Sequence, residues 1–240
     1  MPYLDSDGSR IYYEVYGKGP PLVFIHGYFL DIRCYRDLLN NLGSRYEVYA
    51  LDLPGHGKSG DILPNCSIRQ MVTQIRKSIE ALNIKNPVLF GHSAGALLAL
   101  YYASIYKVKR LIISSPPGIK YYRTKLPLLL KFIFLHPIVC FVTNPLRSIP
   151  MFLIIFQNIS RNISQKFYLK LLRVIINNEP KLKISVKTII LWPKYDIFFS
   201  SKFADYYLKK IKDSRLFIIP STHEWLSLDP EKIYCMGEII

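Results

Sequence analysis

Five consecutive residues, Gly91-His92-Ser93-Ala94-Gly95, hold a serine between two glycines. A serine hydroxyl becomes a nucleophile when a base takes its proton and a third group orients that base. The chain has five histidines. His26 and His56 lie in glycine loops upstream, His92 adjoins the serine, and His136 sits in an apolar stretch. His223, in Pro220-Ser221-Thr222-His223-Glu224-Trp225, follows the last expected strand and is the candidate base. The orienting acid is sought between Ser93 and His223 in chain order. No Asp or Glu occurs between Glu80 and Glu179, which leaves Glu179, Asp196, Asp205 and Asp213. Asp205 and Asp213 lie on or just after a helix that reads as solvated, and Glu179 precedes Pro180 in the irregular middle of the chain. Asp196 comes four residues beyond a strand ending at Trp192 and is the choice. Glu224, placed after the base, reads as a surface group.

These residues need a scaffold. Pro87-Val88-Leu89-Phe90 reads as a buried strand, and Ala96 to Ala103 is rich in helix formers. A strand-to-helix turn around Ser93 strains its backbone and aims the free N–H groups of the helix at charge forming beside its oxygen. Further strands are expected at Tyr3–Asp5, Ile11–Tyr16, Leu22–Ile25, Glu47–Leu51, Arg110–Ile113, Thr188–Trp192 and Arg215–Ile219. Asp7-Gly8 is the turn signal between the first two. Helices are expected over Tyr35–Leu42, from Ser67 along the stripe Ile68, Met71, Val72, Ile75, Ile79 and Leu82, over Ser201–Ile211, and after Pro230. Such alternation predicts an α/β protein whose mostly parallel, eight-stranded sheet is flanked by helices. Alternation stops at Pro116. Residues 1–117 and 184–240 form the expected core, and 118–183 a helical insertion.

Composition is that of a packed globular protein, with 50% hydrophobic residues. The N-terminus is acidic where a secretory signal needs an apolar core, so a cytoplasmic protein is expected. Cys34, Cys66, Cys140 and Cys235 lack metal-type spacing and read as free thiols. Net charge is +15, and the insertion carries eleven Lys/Arg against Glu179 alone. Those charges are diluted among Leu, Ile and Phe with no nucleic-acid motif, which argues against a nucleic-acid partner.

In these motifs the chain resembles the α/β-hydrolase fold superfamily, in its serine esterase and lipase-like branch with a lid domain. His26-Gly27, Asp52-Leu53-Pro54-Gly55-His56-Gly57-Lys58-Ser59 and Gly91-His92-Ser93-Ala94-Gly95 carry the resemblance, with Asp196 and His223 completing it. The resemblance implies a triad of Ser93, Asp196 and His223, and an oxyanion hole from the backbone N–H groups of Tyr28 and Ala94. It assigns His26 and His56 to holding loop shapes. Thr222 stands where the family usually has glycine, and Trp192-Pro193 where it often has one.

The resemblance further implies hydrolysis of carboxylic esters of small to medium apolar acyl groups, through an acyl-enzyme, with no cofactor or metal. Thioesterase, carbon–carbon bond hydrolase, acyltransferase and lactonase chemistry share that triad. A serine nucleophile argues against dehalogenase or epoxide hydrolase chemistry, which in this fold uses an aspartate. A ligand receptor and a lipid-surface binding protein are the non-catalytic alternatives. Residues 118–183 correspond to the lid. There Ile163, Phe167, Leu171 and Val174 share one helical face, and Lys166, Lys170 and Arg173 lie elsewhere on the turn. They either pack the lid on the core or form an acyl channel whose lysines approach an anionic membrane surface. Phe132–Leu146 is uncharged but, at 15 residues, too short to span a bilayer.

Overall fold

A computed structural model of the chain describes residues 2–6, 9–60, 67–117, 130–162 and 183–233. Eight strands form one sheet in the order β1-β2-β4-β3-β5-β6-β7-β8. They are β1 (Tyr3–Ser6), β2 (Ser9–Tyr16), β3 (Pro21–Ile25), β4 (Glu47–Leu51), β5 (Val88–His92), β6 (Arg110–Ser114), β7 (Thr188–Pro193) and β8 (Ser214–Ile219). β2 pairs antiparallel with β1 and β4, and every other pairing is parallel. The expected α/β class, strand number and mostly parallel sheet all hold. The Asp7-Gly8 turn lies outside the described residues.

Residues along each central strand alternate between two cores, as a period of two requires. Val23, Ile25 and Leu89 pack on one face of the sheet, and Leu22, Phe24, Val88 and Phe90 on the other. Helices cover both faces, which is why these strands read as continuous apolar runs. The first core receives α2 (Ile68–Ala81) and α3 (Ala94–Ala103), and the second receives α1 (Arg36–Leu42). Ser67 caps α2 through a reciprocal capping box with Gln70.

Between β6 and β7 the described residues are helical: a π-helical turn over Lys131–Leu135, α4 (His136–Thr143) and α5 (Pro145–Asn162). Pro137 and Pro145 fall at helix starts, where a missing N–H costs nothing. The helical face of Ile163, Phe167, Leu171 and Val174, with Lys166, Lys170 and Arg173, lies outside the described residues, as do Glu179, Cys66 and Cys235. After β7 come α6 (Lys202–Lys210) and a single turn, α7 (Trp225–Leu228). α7 begins two residues after His223, ahead of the helix expected beyond Pro230, where a 3₁₀ turn covers 230–233. No helix among the described residues is long and apolar enough to cross a membrane.

Candidate active site

Ser93 stands between the end of β5 and the start of α3 with φ 52° and ψ −118°, a left-handed conformation for a residue with a side chain. Strain of this kind persists only where the surroundings enforce it. The glycines on either side are part of that enforcement. A Cβ on Gly91 would lie 2.4 Å from the Gly95 carbonyl oxygen, and one on Gly95 would lie 2.2 Å from that of Ile25. The Ser93 N–H donates to the Ser114 carbonyl on β6 (2.8 Å), which fixes the turn to the neighbouring strand. α3 is apolar on every side and buried, so the serine rides on an immobile support.

The three side chains expected to act together do meet. His223 Nε2 is 3.0 Å from Ser93 Oγ, and His223 Nδ1 is 2.7 Å from Asp196 Oδ2. All three follow the carboxyl ends of parallel strands, where open α/β sheets gather ligands. The other Asp196 oxygen accepts the backbone N–H groups of Phe198 and Phe199, both at 2.8 Å. Those bonds lock the carboxylate's orientation. The loop itself is held by Trp192, whose indole N–H donates to the Phe199 carbonyl (2.9 Å). Burial opposes a charged His223, but the Asp196 carboxylate and then Glu224 outweigh it and hold its pKa above the ordinary histidine value.

His26 and His56 shape loops. The Leu53 N–H donates to His26 Nε2 (2.9 Å), and the opposite ring nitrogen donates to the Gly27 carbonyl (2.8 Å). His56 Nδ1 donates to the Pro54 carbonyl (3.1 Å), and burial pushes its pKa down to about 3. Both rings are neutral braces.

His92 does more than fill space. Its Nε2 lies 3.0 Å from the His223 carbonyl oxygen, and its Nδ1 lies 2.7 Å from the Tyr35 hydroxyl. That hydroxyl in turn accepts the Gly27 N–H (3.1 Å). The partners assign the proton to Nε2, so His92 donates to His223 and accepts from Tyr35. Burial pushes the His92 pKa down to about 4, which keeps this arrangement neutral. One chain of hydrogen bonds therefore joins the loop before Tyr28, the serine turn and the loop of the candidate base. At the head of α3 the Ala94 N–H is one of the orphan donors of a helix N-terminus.

Glu224 is not a surface group. It is 6% exposed, and its Oε1 is 3.4 Å from Nε2 of His136, which is 1% exposed. Local sequence makes Glu224 look solvated, and the helices between β6 and β7 cover it. His136 is ringed by Phe132, Phe152 and Phe198, while Phe198 also packs edge-on against His223 with ring centroids 5.1 Å apart. Burial works against its charge, yet the His136 contact and then His223 hold the Glu224 carboxyl down to about 2. Tyr35, His136 and Glu224 carry no motif that marks them as site residues. No local signal marks them, because each acts through residues far away in the chain.

A small cavity is lined by Gly27, Tyr28, Leu53, His56, Met71 and Ala94. Its wall is almost wholly apolar.

A family model of the alpha/beta hydrolase fold matches residues 20–133. The crystal structure of a membrane phospholipase A superposes with a TM-score of 0.82 at 21% identity, over 98% of this chain and 83% of that one. The enol-lactonase from Burkholderia xenovorans LB400 gives 0.81 at 15% identity, over 99% and 98%. The chain has the α/β-hydrolase fold. Among curated relatives of this α/β-hydrolase-fold chain, the (E)-2-((N-methylformamido)methylene)succinate hydrolase of Acinetobacter baylyi is 31% identical over 93 residues, 39% of this chain and 35% of that protein. The α/β-hydrolase-fold chain spans about a third of the length of the curated relatives it matches.

Proposed function

We propose that this α/β-hydrolase-fold protein is a serine hydrolase that cleaves carboxylic esters of small to medium apolar acyl groups. The observation that carries the reading is the continuous hydrogen-bond sequence Ser93 Oγ, His223, Asp196, at 3.0 and 2.7 Å. His223 takes the Ser93 proton as Oγ attacks the ester carbonyl. The imidazolium formed is stabilised by Asp196, and the oxyanion by the N–H groups of Tyr28 and Ala94. Each such donor contributes about 3 kcal/mol to the transition state. His223 returns the proton to the departing alcohol, leaving an acyl-Ser93. Water, deprotonated by the same His223, then releases the acid.

We assign residues 118–183 to a lid over this site and the remainder to the catalytic core. Lys131, Arg147 and Arg161 support this, since all three bond to core residues. A cytoplasmic location fits the free thiols Cys34 and Cys140.

Hydrolysis of p-nitrophenyl esters from acetate to palmitate tests the reading. It requires turnover that Ser93→Ala abolishes. Equal rates in both proteins, or none in either across the series, would refute it. In the second case a ligand receptor is the next reading.

A further inference from the structure

The helices between β6 and β7 are apolar on both sides, which a lid packed only onto its own core does not need. Their inner face is accounted for: His136, Cys140, Met151 and Ile155 are all 6% exposed or less. Their outer face is equally apolar and lies in solvent. On the π turn and α4, Phe134 (65% exposed), Ile138 (62%) and Val142 (81%) recur every four residues. On α5, Leu146 (84%), Leu153 (59%) and Phe156 (69%) form a matching stripe, and the two helices pack side by side. A monomer rarely leaves so large a contiguous apolar patch in water unless it binds something.

Charge selects the occupant. Lys131 donates to the Ile197 carbonyl, Arg147 pairs with Asp37 and Glu231, and Arg161 donates to the Gly57 and Ser59 carbonyls. These cations hold the helices to the core. No acidic residue occurs from 81 to 178, so the helical hairpin offers nothing to repel an anion. The chain as a whole carries 32 Lys/Arg against 17 Asp/Glu. Two copies with a net charge of +15 repel each other, which disfavours pairing through this face. An apolar slab with anionic headgroups suits both the greasy stripes and the charge.

We infer that the outer face of α4 and α5 docks on an anionic lipid surface, lying in the interface without crossing it. The inner face of the same helices carries Phe132 and His136, which pack against Phe198 beside His223. Docking thus sets the candidate site directly behind the lipid contact. This inference does not depend on the hydrolase reading, since binding needs no chemistry at Ser93.

Flotation of the full-length protein with vesicles of phosphatidylcholine alone, or with about a third phosphatidylglycerol, tests it. The expected result is at least tenfold stronger binding to the anionic vesicles, weakened by salt. Binding is retained in Ser93→Ala and lost at least tenfold in Val142→Glu/Leu146→Glu. Both substituted residues are more than 80% exposed, so thermal unfolding of the double variant should match wild type and exclude misfolding. Two results would overturn the inference. One is absent vesicle binding, or binding unchanged in the double variant. The other is concentration-dependent dimerisation, abolished by Leu146→Glu, in a protein that ignores vesicles.

Discussion

The ring of His92, one residue before Ser93, holds the main chain of His223, with Nε2 3.0 Å from that residue's carbonyl oxygen. The candidate nucleophile and its base are thus coupled twice, through the Ser93 hydroxyl and through the neighbouring ring. Because that ring also meets the Tyr35 hydroxyl, a change at 92 reaches the loop before Tyr28 as well. His92→Gln should lower kcat by roughly ten- to a hundredfold, the size expected when a supporting contact misplaces a catalytic group. KM should change little. Steady-state kinetics checks this, and an unchanged kcat would remove His92 from the account.

The same residue has a pH signature in stability. Native His92 stays neutral down to about pH 4, whereas an unfolded histidine takes a proton near 6.5. As pH falls below 6.5 the unfolded chain therefore binds the extra proton and gains stability relative to the native one. The wild type's advantage over His92→Gln should shrink by about 2 kcal/mol between pH 7 and 5. Urea midpoints at the two pH values measure it, and a constant gap would contradict the assignment of a neutral ring.

Glu224 is a second buried carboxylate acting on His223, behind Asp196. Its negative charge favours the imidazolium, and the His223 pKa lies above the ordinary value of 6.5. Since the base must be neutral, activity should rise with pH through an apparent pKa above 6.5. Glu224→Gln removes charge that favours the protonated ring, so the rising limb of kcat/KM should move to lower pH. Also facing Glu224 are His92 and, across the interface, His136. His136→Phe provides the control, because it leaves the carboxylate in place without its partner. A limb that stays put, or moves upward, in Glu224→Gln would refute the role.

Asn158 pins α5 to the loop before the first helix. Its side chain, 2% exposed, accepts the Gly57 N–H (3.0 Å) and donates to the Phe29 carbonyl (2.9 Å) and Asp31 (3.1 Å). Asn158→Ala strands these groups in a buried site and should cost about 2 to 3 kcal/mol. Denaturant unfolding measures the loss. Because Phe29 directly follows Tyr28, activity should fall at temperatures where the variant is still folded.

Much of this site is legible in the sequence. Ser93, Asp196 and His223 each follow a short apolar strand, and parallel strands deliver their ends to one edge. The glycines around Ser93 announce a turn that no side chain would fit. The acid is found by elimination, because the middle of the chain lacks carboxylates. Tyr35 is opaque for the opposite reason: a tyrosine entering a helix reads as core, and its hydroxyl gains a role only when β3 and β5 pair. Glu224 misleads because a charge beside a loop histidine reads as solvated until His136, 88 positions upstream, closes over it. The apolar run Phe132–Leu146 shows that the insertion is greasy. It does not show that its two stripes face opposite ways.

The central claim is that His223 and Asp196 make Ser93 a nucleophile. A fluorophosphonate reacts covalently and fastest with such an activated serine. Intact-mass and peptide mass spectrometry of the treated protein should find one adduct, on Ser93, and at least a hundredfold slower labelling in His223→Ala. An unlabelled wild-type protein, or an adduct on another residue, would contradict the account.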